Sequence, residues 1–203
     1  MASQRDRALT LLGKRGIMRL ADLNAAGVHA ASLARLVEDG VVVRAGRGLY
    51  ELAGADVSMD HGLAEMAVRV PKGVICLISA LAYHGISTQN PSAVWMAIGL
   101  KDRKPRITHR AVRFVHFGEA ALSSGVDVVR VDAVDVRVFS AAKTIVDCFR
   151  YRNTVGLDVA LEALRLGVRS GKAKPSDIAH FAKALRIWTV IRPYLESIAA
   201  DDT

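Results

Sequence analysis

The segment Ser140–Asn153, SAAKTIVDCFRYRN, carries Lys143, Asp147, Cys148 and Tyr151 on one expected helix. An amine, a carboxylate, a thiol and a phenol act as acid, base or nucleophile when their pKa values are tuned. The spacing argues for structure instead. Ser140 is a good N-cap at a strand-to-helix junction. Ile145, Cys148 and Phe149 fall at i, i+3 and i+4, an apolar stripe that places the thiol in a core. A reactive thiolate needs an electropositive, partly exposed setting. Lys143 and Asp147 form an i, i+4 pair. With Arg150 and Arg152 they are expected on the outer face of the helix, and Tyr151 follows Asp147 by four residues.

Other chemistry is scarce. The six histidines, at 29, 61, 84, 109, 116 and 180, include no i, i+4 pair, and the two cysteines, Cys76 and Cys148, stand 72 residues apart. No metal site is expected from that spacing. There is no Walker loop, dinucleotide fingerprint or nucleophile elbow. Asp127, Asp132 and Asp135 are the nearest thing to a nuclease's carboxylate cluster. They fall at strand edges and in a turn, where solvated aspartates are common. No catalytic residue and no cofactor is assigned, and the chain is read as a non-enzyme.

The bulk numbers point elsewhere. The 203 residues are 51% hydrophobic and carry a net charge of +8. That is a globular chain with room for one large or two small domains. Its most apolar stretch, Val74–Tyr83, is too short to span a bilayer, and the charged N-terminus lacks the apolar run of a signal peptide. A cytoplasmic protein with reduced cysteines and no membrane partner is expected. The positive charge is uneven: residues 1–58 hold 8 basic and 6 acidic side chains, residues 101–113 hold 6 and 1, and residues 140–174 hold 7 and 3. A basic balance fits a polyanionic partner, most often nucleic acid. The densest run gives Lys101, Arg103, Lys104, Arg106 and Arg110 as a phosphate-binding or partner surface, against the plainer reading of a solvated loop.

The elements that must carry these residues fall into two groups. A helix over 4–14, an extended stretch at 17–19, a short helix ending at Gly27 and a third helix ending at Gly40 precede a hairpin. Its strands are Val41–Ala45 and Leu49–Leu52, joined through Gly46-Arg47-Gly48. This is the order of a winged helix-turn-helix. Val28, Leu33, Leu36 and Val37 face its core, while Ala31 and the candidate DNA contacts Ser32 and Arg35 face outwards. Arg19, His29, Arg44 and Arg47 complete the expected DNA-binding set, the last two at the wing. The domain is set at 1–52, a linker at 53–58, and a second domain at 59–203. Within it, Ser79 is a candidate N-cap, strands are expected near 93–100, 111–118, 126–131 and 134–139, and helices follow Ser140. The fold class is α+β, an N-terminal winged helix-turn-helix followed by a mixed α/β domain with a small sheet and a helical C-terminal part.

The stretches LVEDGVVVRAGRGLYEL, ISALAYHGIST, AVWMAIGLKDRKPRIT and SAAKTIVDCFRYRNTVGLDVALEAL resemble the AbiEi antitoxins of type IV toxin–antitoxin systems. The resemblance extends over nearly the whole chain. It implies a winged helix that binds inverted repeats in double-stranded operator DNA at its own promoter and represses it. It also implies a C-terminal domain that counteracts a nucleotidyltransferase-like toxin without requiring a stable complex. Ala30 and Ala31 leave the third helix poor in base readers, which shifts weight to His29, Ser32, Arg35 and the wing. Two alternatives stand beside this reading: a DNA-binding regulator whose C-terminal domain senses a ligand or protein, and a metal-dependent nuclease.

Overall fold

The computed structural model describes residues 3–55, 58, 60–107 and 111–201. It divides into two compact units, Met1–Lys72 with Val128–Val136, and Gly73–Asp127 with Arg137–Thr203. The fold class is α+β, with a winged helix-turn-helix at the N-terminus.

In the first unit, α1 (Gln4–Arg15) opens on Ser3, whose hydroxyl accepts from the Asp6 amide in a capping box. A two-residue strand β1 (Met18–Arg19) follows, then α2 (Leu20–Ala25) and α3 (Ala30–Glu38). The turn between α2 and α3 runs through Gly27 at φ 82. The wing strands are β2 (Val42–Gly46) and β3 (Leu49–Leu52), and the small sheet has the order β1-β3-β2. Ala8, Leu12, Leu23, Val28, Leu33, Leu36 and Val42 make the core. The apolar spacing of the sequence predicts this packing, except that Val37 is only half-buried.

The unit does not end at residue 52. Helix α4 (His61–Arg69) belongs to it, as does the tip of a hairpin far along the chain. Arg19 explains the first addition: its guanidinium donates to the carbonyls of Val68 and, at 2.8 Å, Arg69, capping the C-terminal end of α4. Asp132 explains the second. One carboxylate oxygen accepts from the Ser58 amide at 3.1 Å and the other lies 2.9 Å from His61 Nδ1. Burial pushes the Asp132 carboxyl up, but the hydrogen bonds from His61 and Ser58 hold it below its ordinary range.

The second unit is built on a sheet of order β6-β5-β4-β8-β7. After β4 (Val74–Ile75), α5 (Leu77–His84) ends at Gly85 in the left-handed conformation. The α5 N-cap is Cys76, and Ser79 lies inside the helix. The expected capping role of Ser79 is therefore corrected: its hydroxyl accepts from the Trp95 amide at 2.9 Å, tying the helix to β5 (Val94–Gly99). β5 pairs antiparallel with β4 and parallel with β6 (Val112–Phe117). A parallel neighbour requires the chain to cross back between the two strands, and residues 100–107 are the described part of that crossover.

Beyond α6 (Glu119–Ser123), β7 (Val126–Val131) and β8 (Val134–Phe139) turn at Asp132-Ala133 as expected, with φ 46 and 63. Then come α7 (Ala141–Arg150), α8 (Arg152–Val155), α9 (Leu157–Arg169), α10 (Pro175–Ala184) and α11 (Trp188–Asp201). No helix among the described residues is long and apolar enough to cross a membrane.

The hairpin tip supplies opposite-signed tests of the first unit. Gly16 has φ 64, and a Cβ there would lie 2.0 Å from the Asp132 carbonyl oxygen. Gly16→Ala is expected to cost about 2–3 kcal/mol by chemical denaturation. Ala133→Gly relieves a non-glycine residue in the left-handed region, so a gain of about 0.5–1 kcal/mol is expected. A loss of stability from Ala133→Gly would contradict this account of the turn.

Candidate nucleic-acid interface

Helix α3 is the element free to enter a groove, and α1 holds it at both ends. The Gln4 side-chain oxygen accepts from the His29 amide at 3.1 Å and from the Ser32 hydroxyl at 2.7 Å. At the other end Arg5 pairs with Asp39 at 2.9 Å. Both groups of that pair are half-exposed, so it orients the helix more than it stabilises it. With Leu33 and Leu36 buried beneath, α3 presents His29, Ala30, Ala31, Arg35 and Glu38 to solvent. The Arg35 guanidinium has no hydrogen bond or ion pair among the described residues.

The wing adds two cations. Register pairs Gly46 with Leu49, leaving Arg47-Gly48 at the tip, and Gly48 has φ 70. Arg47 projects exposed while its carbonyl accepts from Arg69 at 3.4 Å. Arg44 is exposed and its guanidinium sits 5.9 Å from the Tyr50 ring centroid, so the ring fixes its direction.

The expected contact set is thereby narrowed. His29, Arg35, Arg44 and Arg47 are each exposed. Arg19 is withdrawn to cap α4, and the Ser32 hydroxyl is spent on Gln4. Sequence reasoning missed Gln4 as the residue that sets the start of α3, because a polar residue at a helix N-terminus carries no signal of a partner twenty-five residues away. It also missed a cleft of about 690 Å³ in the same unit, whose lining includes Lys14, Arg15 and Arg130. Arg130 donates to the Lys14 carbonyl at 3.0 Å and pairs with Asp135 at 2.9 Å.

In the second unit the α7 residues are not a reactive site. Lys143 and Asp147 have 0% side-chain exposure and bond directly to each other. The expectation that they lie on the outer face is corrected: α5, α9 and α10 all pack on α7. The Lys143 ammonium lies 4.0 Å from the Phe139 ring centroid and 5.2 Å from that of Phe117. Burial pulls the lysine down and pushes the aspartate up, each opposed by its partner, and Arg150 adds a second bond to Asp147 at 3.0 Å. Ser140 caps α7 as expected, accepting from the Lys143 amide. Burial raises the Cys148 thiol, as it does Cys76, which keeps both protonated and unreactive.

The aspartates at 127, 132 and 135 do not converge on a site. Asp132 is held by His61 and Ser58, Asp135 pairs with Arg130, and Asp127 is exposed. Among the described residues no group of three metal-ligating side chains is placed to hold an ion. In the basic run, Lys101, Arg103, Lys104 and Arg106 are all exposed, and Arg110 lies outside the described residues.

Residues 6–53, from α1 through the wing, match a family profile described as "Transcriptional regulator, AbiEi antitoxin". The N-terminal segment is thus similar to the AbiEi antitoxin family. No curated protein matches the chain. Among solved structures, the crystal structure of the RV2827C protein from Mycobacterium tuberculosis is similar in fold. Its TM-score is 0.59 at 13% identity, over 98% of this chain and 78% of that one. Such a likeness carries the architecture, including the second unit outside the AbiEi match.

Breaking the buried pair should reveal its structural role. Lys143→Ala leaves Asp147 buried with only Arg150 and is expected to cost about 3–5 kcal/mol. The double replacement Lys143→Met with Asp147→Leu is expected to restore most of that loss. Equal losses in the single and double variants, read by urea unfolding, would show that the pair is not coupled.

Proposed function

We propose that the chain is an autoregulating antitoxin. The first unit binds double-stranded operator DNA with inverted repeats through α3 and the wing, and represses its own promoter. The second unit counteracts a nucleotidyltransferase-like toxin, and no stable complex between the two proteins is required. The observation that carries the DNA reading is the outward set His29, Arg35, Arg44 and Arg47 on elements that the core and α1 hold rigidly. Short, clamped elements suit DNA recognition because register is set by the scaffold while the cations meet phosphates. The AbiEi match over the same elements supports the regulatory half. The antitoxin half rests on the resemblance of SAAKTIVDCFRYRNTVGLDVALEAL and the other second-unit stretches to that family. A cytoplasmic location follows from both activities.

The bareness of α3 shapes the expected behaviour. Ala30 and Ala31 offer apolar contacts but no hydrogen bonds to base edges, so backbone contact carries much of the affinity. Arg44→Ala with Arg47→Ala is expected to weaken operator binding and to flatten its salt dependence by about 0.9 per lost phosphate contact. The same variant should derepress the promoter yet still rescue growth when the toxin is co-expressed from the neighbouring gene. Loss of rescue together with loss of repression would place both activities on the first unit.

A second reading has its own observation. The second unit holds a cleft of about 910 Å³ lined by, among others, His84, Asp127, Lys172, Asp177, His180 and Phe181. A regulator that releases DNA on binding a small polar ligand would use such a cleft. Release of operator by a small-molecule fraction of the host cell would favour this reading; unchanged binding favours the antitoxin.

A further inference from the structure

The β5–β6 crossover carries four cations within residues 101–106, and nothing in the winged helix accounts for them. Lys101, Arg103, Lys104 and Arg106 are exposed in a segment without helix or strand. No ion pair among the described residues neutralises any of the four. The one acid in the run, Asp102, is exposed with them, and its carboxylate accepts from the Gly99 amide at 2.9 Å. The segment is also tethered. His116 Nε2 lies 3.2 Å from the Asp102 carbonyl, and the Tyr151 hydroxyl donates to the His116 carbonyl at 3.1 Å. That chain of contacts links the crossover to the end of α7, where Arg150 and Arg152 add charge. Arg113, exposed on β6, lies 5.0 Å from the ring centroid of the buried Trp95. Cations are thus arrayed on a fixed scaffold.

The composition of the array selects its partner. Cores of protein interfaces are depleted of lysine and enriched in aromatic residues, and no exposed aromatic lies in residues 100–107. Binders of single strands combine basic grooves with exposed stacking platforms, whereas on these strands Trp95 and Phe117 are buried and Phe114 is half-buried. Contact with a duplex backbone needs only cations. We propose that this crossover is a second, sequence-independent docking surface, which takes the phosphate backbone of duplex DNA. The choice of DNA rests on the regulator reading of the first unit.

The test uses the full chain with Lys101, Arg103, Lys104 and Arg106 all changed to alanine, beside the Arg44→Ala, Arg47→Ala variant. All the crossover positions are exposed, so thermal unfolding should be unchanged. Against duplex DNA without the operator, the slope of log affinity against log salt should fall by about 3–4 in the crossover variant. Preference for operator over that duplex should survive in the crossover variant and drop in the wing variant. An unchanged slope overturns the proposal. So does a loss confined to single-stranded RNA or to polyglutamate, which would reassign the surface to those partners. Retained operator preference in the wing variant would instead overturn the regulator reading, whatever the crossover does.

Discussion

Helix α7 is buried on all sides because its two internal charges neutralise each other. From Ala141 to Phe149 every residue is buried, including Lys143 and Asp147. Two ions in a low-dielectric core are costly unless paired and hydrogen-bonded. Their i, i+4 spacing supplies the pairing within one helix, the rings of Phe117 and Phe139 receive the ammonium, and Arg150 closes the remaining carboxylate oxygen from the rim. The sheet, α5, α9 and α10 can then close on one central helix. A hydrophobic stripe alone would have bought similar stability; the ion pair also fixes the rotation of α7, and with it the positions of Arg150 and Tyr151 at its end.

The first unit follows the opposite strategy. Its core is small, and orientation comes from polar contacts at the periphery: Gln4 at the start of α3, Arg5 at its end, Arg19 on α4. Each uses a side chain that composition alone would assign to solvent or to DNA. What remains outward is a sparse set of cations on a rigid frame, suited to affinity by charge with modest base discrimination. The single acid beside them, Glu38, and the pairing of Asp39 keep the local field only moderately positive.

Much of this architecture was legible in the sequence. Glycines at 16, 27, 40 and 85 ended elements where expected, and alternation at 126–139 located a hairpin to the residue. Ser140 read correctly as a cap. The misreadings share one cause. Lys143 and Asp147 look like a surface pair because an i, i+4 charge pair is identical in sequence whether it is wet or dry. Burial depends on three helices packing around α7, which no local pattern encodes. The intramolecular partners of Arg19 and Ser32 were equally illegible: Val68, Arg69 and Gln4 are brought to them by tertiary contact. Residues whose role is local capping or periodicity were readable, and those whose role is a distant polar contact were not.

The grouping of residues 128–136 with the N-terminal unit has a consequence for how the protein is made. The carbonyl of Asp132 fills the space left by Gly16, and its carboxylate anchors Ser58 and His61. A ribosome that has delivered the whole winged helix has therefore not yet delivered all of the unit to which it belongs. The N-terminal unit completes its packing only when the hairpin emerges, well into synthesis of the rest. Its maturation is timed by the second half of the chain, so an N-terminal fragment released early lacks part of its own packing.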